Sequence, residues 1–138
     1  MKTTTRVILR SVAATPLRVA IVYAGVIALL YTDLRPLPEW VPDAVGYTIQ
    51  FAASYLLALW VLHRRSARWS DGLIVAFTFI TLGTMLELLV AVILRGPSPS
   101  IMANVFTLQS GLLFVVYTLG VMAATWQVRG KREKLGTG

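Results

Sequence analysis

Glu87 is the residue best placed to do chemistry in this chain of 138 residues. It stands inside the apolar run Gly72 to Leu94, where an ionisable group is costly unless it is partnered or wetted. Counting back from Leu94 at about 1.5 Å per residue puts it roughly 10 Å below that end of the run. Gln109, counted from Ile101, and Gln50, counted from Ala44, fall at nearly the same depth in their own apolar runs. Tyr47 and Asn104 are near neighbours in sequence, and Arg95 follows Glu87 two helical turns later. These six residues form a candidate polar pocket: Glu87, Gln109, Gln50, Tyr47, Asn104 and Arg95. In a structural reading Glu87 is protonated and bonds to Gln109 or Gln50 to hold helices in register. In a functional reading it carries protons or contacts a headgroup, with Arg95 as an anion contact above it.

Other chemistries find no residues. The chain has no cysteine, which excludes thiol redox sites, thiolate metal centres and disulfide scaffolds. Its one histidine, His63, lies beside Arg64 and Arg65 and has no acidic neighbours with which to hold a metal. Ser-x-x-Lys, Gly-rich phosphate loops and His-Glu-x-x-His are absent from the sequence, so no catalytic residue, cofactor or metal is expected, nor an enzyme.

The elements that must position the six residues follow from composition. Hydrophobic residues make up 57%, charged residues 14%, and mean hydropathy is +0.71; ordinary soluble domains have about 45–50% and about 25%. The apolar residues fall into four blocks, 16–34, 44–62, 72–94 and 101–126, each near the roughly 20 residues that cross a hydrocarbon core. The expected fold is therefore all-α: one polytopic membrane domain over 1–138, a bundle of four transmembrane helices. A separate amphipathic N-terminal segment, 1–15, would lie along the inner surface, with a basic tail at 127–138. Arg18 would snorkel back to the headgroups.

Charge orients this bundle. Lys2, Arg6, Arg10 and Arg18 precede the uninterrupted apolar run 19–31 of the first block, Arg64, Arg65 and Arg68 fill the second connection, and Arg129, Lys131, Arg132 and Lys134 form the tail. Only Arg35 and Arg95 of the 13 basic residues remain for the other side. The positive-inside rule then puts both termini in the cytoplasm, in a cell (inner or plasma) membrane. The net charge of +7 is explained by contact with anionic lipids and calls for no nucleic acid. Trp40, Trp60, Trp69 and Trp126 lie near block ends, as interfacial anchors do.

The connection 32–43 carries three prolines and suits an extended or re-entrant segment. Arg95 to Ser100 reads as a tight turn, with Ser100 capping the fourth helix. Ala20, Ala24 and Ala28, Ser54 with Ala58, and Gly120 with Ala124 recur at the small-residue interval that lets helices approach. They serve packing within the bundle or a homodimer face.

Asp43-Ala-Val-Gly-Tyr47, Gly83-Thr-Met-Leu-Glu87-Leu-Leu-Val90 and Arg95-Gly-Pro-Ser98, running on to Asn104 and Gly111, resemble the VanZ-like family of small four-helix membrane proteins. Tyr47 stands where that family has histidine, and Val90 where it has glutamine. The resemblance implies an envelope factor that handles a lipid or amphiphile in an outer-leaflet pocket. Two other readings stand beside it: a non-enzymatic membrane protein or accessory subunit of a larger membrane complex, and a minimal dimeric proton-coupled transporter built around Glu87.

Overall fold

A computed structural model describes residues 2–32, 36–63, 68–100, 103 and 107–136, with residues 2, 3, 30, 108 and 109 described by their backbone alone. The chain is all-helical. Four long helices occupy the described residues: α1 (Lys2–Tyr31), α2 (Trp40–Leu62), α3 (Trp69–Arg95) and α4 (Leu108–Gly136). Each is long and apolar enough to cross a membrane, and their outward faces carry exposed Leu, Ile, Val, Phe and Trp side chains.

The helices are longer than the apolar blocks. Segment 1–15 is not a separate surface helix: α1 runs without interruption from Lys2, through Pro16, and buries Val7, Ser11, Ala14 and Thr15 against the bundle. Proline deletes one backbone donor, but two neighbouring hydroxyls keep their own bonds within the helix, Ser11 to the Val7 carbonyl at 2.7 Å and Thr15 to the Ser11 carbonyl at 2.8 Å. The basic tail likewise continues α4 as far as Gly136. Charged residues end an apolar run but not a helix, because backbone hydrogen bonds are indifferent to side-chain charge.

Helix ends follow local chemistry. Asp71 accepts the Arg68 backbone N–H at 2.9 Å at the start of α3. Gly96, at φ 79°, stops that helix while its N–H returns to the Val92 carbonyl at 2.9 Å, a conformation glycine adopts without strain. Thr107, rather than Ser100, caps α4, accepting the Ser110 N–H at 3.3 Å. Ser100 is itself helical and its N–H bonds to Ser98 Oγ at 3.3 Å. Pro42 of the expected loop lies inside the first turn of α2.

The packing order is not the sequence order. α1 lies between α2 and α3, and α4 closes the square against those same two helices; consecutive α2 and α3 sit on a diagonal and barely touch. The strongest pairs, α2 with α4 and α1 with α3, therefore run parallel. One end of the bundle, here the basal end, holds Lys2, Leu62, Trp69 and Gly136; the distal end holds Tyr31, Trp40, Arg95 and Leu108. The contiguous apolar core belongs to the basal half: Val7 and Ala14 with Leu57, Val61, Val75, Phe79, Val121 and Ala124.

Small residues set the close approaches, though not all of those at helical spacing. A Cβ on Gly120 would meet the Phe51 carbonyl oxygen at 2.9 Å, and Ser54 beside it is fully buried. Ala20, Ala24 and Ala28, by contrast, face outward from α1, so that stripe takes no part in packing within the bundle. Gly120→Ala should cost about 1–3 kcal/mol, since a backbone atom must yield. Gly130→Ala, which meets nothing within 4 Å, should hold level or gain up to about 1 kcal/mol; reversible unfolding in detergent micelles measures both.

Candidate functional site

Arg18 is the unexpected member of the site. It does not snorkel. Because α1 begins at Lys2, Arg18 falls opposite Gly83, at the middle of α3, about 20 Å from the Trp69 end at the helical rise. Its side chain is 0% exposed, the most demanding burial among the described residues.

Two helices build its receptacle. From α3, Gly83 leaves the space that the guanidinium occupies, since a Cβ there would run into Nη2. One helical turn further on, Glu87 sets its Oε1 3.6 Å from Nη2, close enough for charge compensation and too long for a direct hydrogen bond. One turn back, the Phe79 carbonyl accepts a long bond from Nη2 at 3.4 Å. From α4, Tyr117, itself buried, lays its ring 4.2 Å from the guanidinium carbon, and Phe79 adds a second ring at 5.9 Å. Both rings offer their electron-rich faces to the cation. Nε and Nη1 of Arg18 remain buried without a hydrogen-bond partner.

Distal to Arg18 the bundle opens. A cleft of about 130 Å³ is lined by all four helices, with Val22, Tyr23 and Val26 from α1, Gln50 from α2, Glu87 from α3, and Leu113 and Tyr117 from α4. Its polar wall is Glu87, Gln50 and the two tyrosines. Glu87 keeps 36% of its side chain exposed, so the cleft is not sealed. The Oε1 of Gln50 is buried and has no partner. The layer formed by Arg18, Phe79 and Tyr117 separates this cleft from the dry core of the basal half.

Of the six residues drawn from sequence, the structure brings Glu87 and Gln50 to one cleft. Gln109 lies in the first turn of α4, one turn before Leu113, and its side chain is outside the described set. Asn104 is outside the described residues altogether. Tyr47 is half-buried one turn before Gln50 and does not line the cleft, while Arg95 is exposed at the distal end of α3. His63 is exposed after the last turn of α2. Among the described residues there is no group of His, Cys, Asp and Glu able to hold a metal.

Arg18, Tyr117, Tyr23 and Gly83 were missed. Starting the first helix at Pro16 put Arg18 at its inner end, where it would snorkel, and so Glu87 was left to seek amide partners. The signal was available: an acid well inside one apolar run and a base inside another are the cheapest compensation for one another.

No family model matches the chain, and no curated protein or solved structure matches it significantly.

Tyr117 supplies a test of how Arg18 is held. Tyr117→Phe keeps the ring and should leave unfolding free energy almost unchanged. Tyr117→Leu removes the π face and should cost about 0.5–2 kcal/mol beyond the small loss of packed volume.

Proposed function

We propose that the chain is a small, non-enzymatic integral membrane protein whose axial cleft binds the polar end of an amphiphile from the outer leaflet. Four helices long and apolar enough to span a bilayer support the membrane assignment. The cytoplasmic placement of both termini rests on charge. With Arg18 removed from the count, Lys2, Arg6, Arg10, Arg68, Arg129, Lys131, Arg132 and Lys134 still gather toward the basal end, and Arg95 stands at the distal end. By the positive-inside rule the basal end is cytoplasmic, and the cleft lies in the outward half.

One observation carries the binding reading: a glutamate paired to a fully buried arginine forms part of the wall of an open cleft whose other polar wall, Gln50, has an unsatisfied acceptor. A purely structural ion pair needs no cleft beside it. The likeness to VanZ-like proteins, which rests partly on Gly83 and Glu87, points the same way, since those two residues build the receptacle.

A second reading, a subunit docking against another membrane helix, is favoured by the outward Ala20, Ala24 and Ala28 and by an apolar groove of about 450 Å³ beside them, between α1 and α2, that runs from Ala13 to Trp60.

Native mass spectrometry of detergent-extracted protein separates the two. The binding reading predicts a co-purifying small amphiphile on the wild type that is lost from Gln50→Leu and kept by Ala24→Leu. A stoichiometric second chain, lost from Ala24→Leu, with no small molecule retained, would overturn it.

A further inference from the structure

The cleft's electrostatics restrict what can enter it, a step that rests on the binding reading above. Glu87 is already matched: Arg18 Nη2 is 3.6 Å from its Oε1, and the guanidinium is enclosed by Gly83, Phe79 and Tyr117 with 0% exposure. An entering ammonium group would have to compete with a cation that has nowhere to go. An entering carboxylate or phosphate would meet Glu87 first, because Glu87 lines the cleft and Arg18 lies behind it. At low local dielectric either encounter is far more costly than in water.

Hydrogen bonding narrows the class further. The buried Gln50 Oε1 lacks a donor, and Glu87 presents a carboxylate to the same space, so the walls ask for O–H or N–H groups. The Tyr23 and Tyr117 phenols can give as well as accept. The remaining wall, Val22, Val26 and Leu113, is apolar and suits the first carbons of a chain. The cleft, about 130 Å³ in volume, has room for a small head of this kind.

We infer that the cleft selects an uncharged, hydroxyl-bearing head of a single-chain amphiphile, with Gln50 and Glu87 as the acceptors and the Arg18–Glu87 pair as the filter against charge.

The test uses three probes with the same chain and different heads: 1-decanol, decylammonium and decanoate, titrated at neutral pH into the full-length protein in nanodiscs, with saturable thermal stabilisation as the readout. Decanol should bind at least about tenfold more tightly than either ion, and Gln50→Leu should weaken it about tenfold. Glu87→Gln leaves Arg18 as the uncompensated charge, so that variant should prefer decanoate. Arg18→Met leaves Glu87 uncompensated and should prefer decylammonium. Equal or tighter binding of an ion to the wild type, lost in Gln50→Leu, would overturn the neutral-head inference and leave the binding reading standing. Absence of saturable binding by all three probes would overturn both. Should the charge variants fail to fold, the wild-type ranking and Gln50→Leu decide the matter alone.

Discussion

A guanidinium held at the middle of an apolar bundle constrains almost everything around it. Such a charge is tolerated only where counter-charge, ring faces and space converge, and here α3 supplies all three while α4 adds a second ring. Glu87 neutralises it, Tyr117 and Phe79 flank it, and Gly83 gives it room. These contacts tie α1 to α3 and α4, so they also specify register. Sliding α1 by one residue would turn Arg18 toward lipid and Leu17 or Val19 toward Glu87. The parallel pairing of α1 with α3 is the arrangement that puts position 18 opposite position 83.

The same contacts divide the molecule into two halves. Basal to Arg18, interlocking Val, Leu, Ala and Phe side chains from all four helices make a dry core, and the hydroxyls of Ser11, Thr15 and Thr125 bond to carbonyls of their own helices. Distal to it the helices enclose a cleft in which polar groups are only partly satisfied. A well-packed half can hold the polar layer in place, and on the binding reading the open half presents one face of that layer to a ligand. On that reading, stability and binding fall at opposite ends of one bundle.

The division explains what could be read from sequence. Four helices long and apolar enough to span a membrane follow from the length of the apolar runs, and Glu87 was singled out by the cost of an acid in such a run; both are one-dimensional properties. Gln50 was found by depth counting alone, because helical rise is constant. Arg18 was expected at a helix end rather than at mid-bundle because helix starts were inferred from hydropathy, and α1 begins fourteen residues before Pro16, at Lys2. The diagonal placement of α2 and α3, which brings Tyr117 of α4 onto Arg18 of α1, depends on which faces pair. No periodicity along one helix reports that. Ala20, Ala24 and Ala28 teach the same lesson in reverse, since their spacing is right for packing while their face is turned outward.

A double-mutant cycle on Arg18 and Glu87, with leucine at each and unfolding free energies measured reversibly in bicelles, tests most directly whether this pair organises the bundle. Arg18→Leu or Glu87→Leu alone should each cost about 3 kcal/mol, the low end for breaking a buried pair, because Glu87 is partly open to the cleft. The double variant, with no orphaned charge, should lose at least about 1.5 kcal/mol less than the two singles combined. Strict additivity, or an Arg18→Leu variant as stable as the wild type, would show that the two charges do not compensate each other and would contradict the account.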